Sequence, residues 1–202
     1  MRGLRLGVLG SGQGSNFVAL ARAIERDKIP AEIVMVGSDR AEAKILEHAK
    51  KLNLPRVVCR KSNFRTKLEP EIEEELALAL EKARVDLLVL AGYMRVVKDP
   101  LLRKFEGRMI NIHPSLLPAF PGLRAWEQAR LAGVKEAGCT VHWVNAQVDE
   151  GEILRQETVP VLAGDSAESL HGRIQEAEHR CLPQVVRGLA EGKIPWAEDP
   201  RK

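Results

Sequence analysis

The chain has 202 residues, 45% hydrophobic and 29% charged, and its 31 basic groups offset 28 acidic ones to leave a formal charge of +3 at pH 7. That composition belongs to an ordinary globular protein, and the interspersed charges exclude a basic nucleic-acid stripe, just as the absence of tracts and repeats excludes a low-complexity chain or a solenoid. The longest apolar run, 87–94, is too short to span a bilayer, and Cys59, Cys139 and Cys181 lack disulfide-framework or zinc-site spacing, so reduced thiols, no metal and a cytoplasmic location are expected.

In the first half, apolar β-rich runs alternate with helical patterns, which predicts βαβ units and a parallel sheet. Residues 4–9 read as a first strand. The charged start resembles a signal peptide only until Gly10-Ser11-Gly12 breaks the apolar run. Residues 16–26 carry Phe17, Leu20, Ala21 and Ile24 at helical spacing. Strands are then expected at 31–36, 56–59 and 85–91, with helices at 41–52, 69–83 and near 100–105. A strand at 108–112 delivers His113 at its C-terminal end, where ligands gather in open α/β sheets. In the second half, 139–145 and 153–161 predict an antiparallel pair at the sheet edge. Asp165 or Ser166 caps a long last helix whose Leu170, Ile174, Ala177, Cys181, Val185 and Leu189 form an apolar stripe interrupted by Pro183. The tail beyond Pro195 reads as loose. The whole is a Rossmann-like α/β fold with a mixed, mostly parallel sheet, flanking helices and an antiparallel C-terminal edge.

Three motifs carry chemistry. Gly10-Ser11-Gly12-Gln13-Gly14-Ser15-Asn16 joins a strand to a helix, where backbone N–H groups make an anion site suited to phosphate. Ser15 stands where a dinucleotide motif needs glycine, and no lysine follows to make a P-loop; Asp39 keeps a nicotinamide reading open, and a tight turn that binds nothing is the bland alternative. Asn111-Ile112-His113-Pro114-Ser115-Leu116-Leu117-Pro118 places an amide and an imidazole on one side of an extended chain, with Pro114, Pro118 and Pro121 to stiffen the loop. His113 moves protons near neutral pH, Asn111 donates to a developing oxyanion, and Asp149, in the later Asp149-Glu150-Gly151, is suited to holding the imidazole protonated. These are the groups that acyl transfer to an amine needs. Taken singly, His113 also reads as a core histidine and Asp149 as a surface turn acid.

With Ala91-Gly92-Tyr93-Met94-Arg95 and Cys139-Thr140-Val141-His142 added, the order and spacing of these motifs closely resemble the phosphoribosylglycinamide formyltransferase family of folate-dependent formyltransferases, from about residue 4 to 192. The resemblance implies a formyltransferase fold and direct transfer of a formyl group from 10-formyltetrahydrofolate to the amine of glycinamide ribonucleotide, in purine biosynthesis. It implies His113, Asn111 and Asp149 as catalytic residues, Gly14, Ser15 and Asn16 around the substrate phosphate, Lys67 (with Arg65 close by) near that phosphate, and Glu178 on the ribose or glycinamide. Met94, Arg95, Val96 and Val97, with Asn111, are implied to meet the folate largely through backbone groups, with His142 framing the pocket and a cis bond at Leu117-Pro118. His48, His171 and His179 read as surface residues. The family's usual proline is Glu152 here, and its common histidine is Arg124.

The resemblance implies one domain over 1–202, with a phosphate-binding half at 1–100, a catalytic and folate-binding half at 101–192 and a tail at 193–202. Small-molecule partners, no nucleic acid, no membrane, and a monomer or homodimer are expected. Two relatives share the fold and the triad: methionyl-tRNA formyltransferases add a C-terminal RNA-binding domain, and formyltetrahydrofolate hydrolases an N-terminal regulatory domain, and neither is expected here. Arginine outnumbers lysine 19 to 12, and asparagine and glutamine together number 11, a balance expected of a heat-adapted protein.

Overall fold

The computed structural model describes residues 3–197. Along them run β1 (Leu4–Leu9), α1 (Ser15–Arg26), β2 (Ala31–Ser38), α2 (Lys44–Lys51), β3 (Arg56–Val58), α3 (Pro70–Lys82) and β4 (Leu87–Leu90). They continue with α4 (Asp99–Lys104), β5 (Met109–His113), α5 (Ala125–Leu131), β6 (Glu136–Trp143), β7 (Ile153–Pro160) and α6 (Ala167–Ala190). The strands form one sheet in the order β3-β2-β1-β4-β5-β6-β7. The βαβ half pairs in parallel from β3 through β5, and β6 and β7 add antiparallel. The mixed sheet read from the alternation of periods is therefore present.

Burial follows the patterning. β4 is an unbroken apolar run and is buried at every position, as a central parallel strand must be. One face of the sheet packs under α1, α2, α5 and α6, with Phe17, Leu20, Ile45, Ile174 and Val185 in its core. The other face packs under α3 and α4, around Ile72, Leu76, Leu80 and Leu101. β1 lies between β2 and β4, so the chain winds one way from β1 and then returns to the other side. The crevice beyond the C-terminal ends of β1 and β4 is a topological switch point, the place where such sheets bind ligands.

Several boundaries differ from expectation. β2 runs on to Ser38, α2 starts only at Lys44, and β4 is trimmed to four residues. α5 was not predicted: its buried positions are only Ala125 and Ala129, and it opens from Arg124 in a left-handed conformation (φ 54°), so no long apolar period announces it. α6 passes through Pro183 without ending, and Ser166 is its cap, accepting from the Ser169 N–H at 3.1 Å. The tail is fastened as far as it is described. Lys193 and Ile194 donate to the Gly188 carbonyl, and Trp196 donates to the Leu189 carbonyl and tilts over Trp143. The rest of the expected tail lies outside the described residues. No helix among them is long and apolar enough to cross a membrane.

Candidate active site

At the switch point a cleft of about 650 Å³ runs from the glycine loop, past the end of β5, to the loops after β4 and β6. Its first wall is the start of α1. Gly14 is the N-cap, with φ 75°, and a Cβ there would lie 2.8 Å from the Ile45 backbone, so both conformation and space require glycine. No side chain caps this helix, and its first residues, Gly14, Ser15 and Asn16, line the cleft, so the uncapped helix start attracts an anion. The Ser11 hydroxyl accepts from the Met94 N–H at 2.8 Å, tying the loop to the segment that leaves β4.

Asn16 is buried and donates to Glu178 Oε2 at 2.9 Å. Burial pushes the Glu178 carboxyl up to about 7, against the opposing pull of the Asn16 hydrogen bond. Glu178 shares the cleft wall with His171 and Gln175, at helical spacing on one face of α6. His171 is not a free surface residue: its ring stacks on Trp126 of α5 at 3.8 Å and 10°, inside the lining, and burial pushes its pKa down. Reading each histidine alone missed this pair, although the spacing of 171, 175 and 178 on one side of α6 was a signal that could have found the wall.

The centre of the cleft is built by strand pairing. Asn111 and His113 share a face of β5, and antiparallel register sets Asn111 opposite His142. His142 Nδ1 lies 2.8 Å from the Trp143 carbonyl, which only accepts, so Nδ1 carries a proton, and Nε2 lies 3.2 Å from Asn111 Nδ2. His113 is 5% exposed, with Nε2 at 3.0 Å from the Phe120 carbonyl and Nδ1 at 3.4 Å from Asp149 Oδ2. Both its nitrogens face acceptors, a setting that the doubly protonated ring satisfies.

Asp149 adopts φ 59°, tolerated by aspartate, and sits 3.7 Å from His142 Nε2 while accepting from the Gly122 N–H at 2.9 Å. Burial alone would raise its carboxyl. The contact with His142, the Gly122 N–H and the positive charge of His113 outweigh it and hold Asp149 below the usual carboxylate range. Gly151 is forced: a Cβ would lie 1.6 Å from the Trp143 carbonyl oxygen, where the loop folds back on β6. Beneath this, Thr140 accepts from the Leu117 N–H and donates to the Ser115 carbonyl, and Gln156 donates to the Leu117 carbonyl, fixing the loop with its cis Leu117-Pro118 bond.

Beyond β4, the Val96 N–H donates to the Thr66 carbonyl, and Met94, 51% exposed, forms an apolar mouth with Leu123 and Val148. Arg95 pairs with Asp39 at 2.6 Å and donates to the Phe64 carbonyl, so Asp39 is committed to an arginine rather than offered to a ribose. Val97 is buried at the cleft wall. Lys67 is not brought in: it is exposed, with its ammonium over the Phe64 ring at 4.5 Å, and neither it nor Arg65 lines the cleft. No cluster of three or more His, Cys, Asp or Glu suited to a metal occurs among the described residues.

A sequence profile described as formyl transferase matches residues 4–186. The chain belongs to the formyl transferase family. The chain is 39% identical to the phosphoribosylglycinamide formyltransferase of Haemophilus influenzae, over 94% of its own length and 89% of the relative's. It is also 44% identical to the trifunctional purine biosynthetic protein adenosine-3 of Drosophila pseudoobscura pseudoobscura, covering 98% of this chain but only 14% of that longer protein. Among solved structures, the glycinamide ribonucleotide transformylase 1 of Symbiobacterium toebii superposes with a TM-score of 0.88 at 46% identity, over 95% of this chain and 89% of that one. Glu152, expected from the sequence as a departure from the family pattern, is exposed and outside the cleft lining, and its carbonyl accepts from the Trp143 N–H. Arg124, the other departure, lies at the cleft rim, 74% exposed and paired with Glu127.

Proposed function

We propose that the protein transfers the formyl group of 10-formyltetrahydrofolate to the primary amine of N1-(5-phospho-D-ribosyl)glycinamide, giving the N-formyl product and tetrahydrofolate. One observation carries this reading: a single cleft joins an anion cradle at Gly14, Ser15 and Asn16 to Asn111, His113 and Asp149, and continues to an apolar mouth at Met94, Leu123 and Val148. A phosphorylated amine entering at one end and a flat, largely apolar formyl donor entering at the other meet at the amide and the imidazole. The full-length similarity to enzymes named for this reaction supports the same assignment.

In this reading the amine nitrogen attacks the formyl carbon, the C=O electrons move to oxygen, and a tetrahedral oxyanion forms. Asn111 Nδ2 carries two N–H groups, at most one of which is used at His142, and a free donor meets the oxyanion. The charge of His113, held against ionised Asp149, stabilises the same oxygen. Collapse expels the folate N10. A proton leaves the new amide nitrogen and another reaches N10, through water or these side chains. In this reading Glu178 and Gln175, which line the cleft, meet the ribosyl glycinamide hydroxyl or amide groups, and the 94–97 segment meets the folate. The arrangement forms no covalent enzyme intermediate.

The test supplies 10-formyltetrahydrofolate with and without the ribosyl glycinamide and follows the deformylated folate. Product that forms only with the amine is expected. Folate release that ignores the amine would mean hydrolysis, and NAD binding without transfer would mean a dinucleotide protein. Asn111→Ala is expected to lower kcat about 10²- to 10³-fold with an unchanged melting profile, and His113→Ala to be at least as severe; near-normal turnover in either sinks the assignment.

A further inference from the structure

α1 and α6 run parallel, in contact at Asn16 and Glu178 at one end and at Asp27 and Arg187 at the other. Between them, outside the catalytic cleft, lies a second concavity of about 380 Å³, lined by Arg22, Arg26, Arg180, Arg187, His179 and Asp27 among others. The size falls within the range of small-molecule sites, roughly 300–1,000 Å³. The lining carries four arginines and one aspartate. Arg26 gives Nε and Nη2 to Asp27 at 2.8 and 2.9 Å, Arg187 gives Nη2 to the same residue at 3.3 Å, and Arg180 leans over the rim to Glu157. A guanidinium has five N–H donors, so most of these remain unspent, and Arg22 joins no ion pair among the described residues. His179 adds an enclosed Nε2 that has no partner. Pro183, also in the lining, lacks the N–H that would close the helical hydrogen bond to the His179 carbonyl, so α6 is loosened at the point where it borders the cavity.

We propose that this concavity is a binding site for a small phosphorylated anion. Asp27 is shared by Arg26 and Arg187, Glu157 takes Arg180 from outside the lining, and Arg22 has no acid partner among the described residues, so cations exceed acids along the concavity. Planar forks on two adjacent helices suit a phosphate group, whose several oxygens accept from more than one guanidinium at once. A single monatomic ion would leave most of the cavity empty. The occupant would bridge α1 and α6, the helices whose other ends hold Asn16 and Glu178 in the catalytic cleft.

The proposal stands independently of the transfer reaction. Its test is calorimetric titration of the full chain with inorganic pyrophosphate, comparing wild type with Arg22→Glu and Arg22→Gln. Arg22→Glu is expected to take up one pyrophosphate fewer than wild type, or to bind it at the lost site at least roughly tenfold more weakly, with kcat and KM for formyl transfer unchanged. Arg22→Gln, which removes charge without reversing it, is expected to weaken the same event. Uptake identical in all three proteins overturns the proposal whatever binds at the glycine loop. Binding seen only with oligonucleotides, and strengthening with their length, overturns it in favour of a nucleic-acid surface.

Discussion

Asn111, His113 and His142 are brought together by backbone pairing, and each of their hydrogen bonds constrains the next. The Trp143 carbonyl holds His142 Nδ1, His142 Nε2 meets the Asn111 amide, and Asp149 faces His113. Glu178 supplies a pH signature of its own. Its carboxyl is raised from 4.5 to about 7 in the fold, so between those values the native state holds a proton that the unfolded chain has released. Stability therefore falls as pH rises from about 4.5 to about 7, by up to about 3 kcal/mol, and is level with respect to this group above that. Glu178→Gln, which keeps an acceptor for Asn16, is expected to lose this slope in urea unfolding; an unchanged slope would assign the pH dependence elsewhere. Gly151→Ala is expected to cost at least about 1 kcal/mol and to depress transfer, because the loop must lift from the Trp143 carbonyl and take Asp149 with it. Wild-type melting and turnover in that variant would contradict the close approach.

At the scale of elements, what was legible followed from strong periodicity. β4 and α6 stood out because one is continuously apolar and the other carries a long stripe, and β5 was read correctly as the strand that delivers His113. The Asn111 and His113 pair was legible for the same reason, since two residues along a strand return to the same side. α5 was not, being seven residues long with alanines as its buried positions. Its consequence for the site was hidden with it: the stacking of Trp126 on His171 joins segments far apart in sequence, and no local pattern reports such a contact. Lys67 shows the converse, a residue adjacent in sequence to the cleft-lining Thr66 that packs instead on Phe64. The stack yields an element-level prediction. Trp126→Ala should release α5 from α6 and raise KM for the amine substrate about tenfold, with the folate KM little changed, and Trp126→Phe should restore most of it. Equal effects on both KM values would mean that α5 supports the fold generally.

For the molecule as a whole, the switch between β1 and β4 decides where the cleft opens, and the antiparallel addition of β6 and β7 completes it by supplying His142 and the Asp149 loop. Arginine-rich composition is spent partly on ion pairs that tie elements together, such as Arg173 with Asp165 and Arg5 with Glu32. Scanning calorimetry is expected to give a melting temperature above the roughly 45–65 °C of mesophilic domains; a value inside that range would remove the heat-adaptation reading of the composition.

The register that sets Asn111 against His142 also determines which changes in chain length the enzyme tolerates. Strand faces alternate, so inserting one residue into β6 ahead of His142 would turn the imidazole to the opposite side and strand the amide, although every chemical group was still encoded. The same insertion at exposed positions 145–148, after the strand has ended, leaves the pairing untouched. Length variation is therefore permitted at the rim and forbidden in the pleat, which lets the mouth of the cleft be reshaped for different donors while the reacting groups keep their spacing.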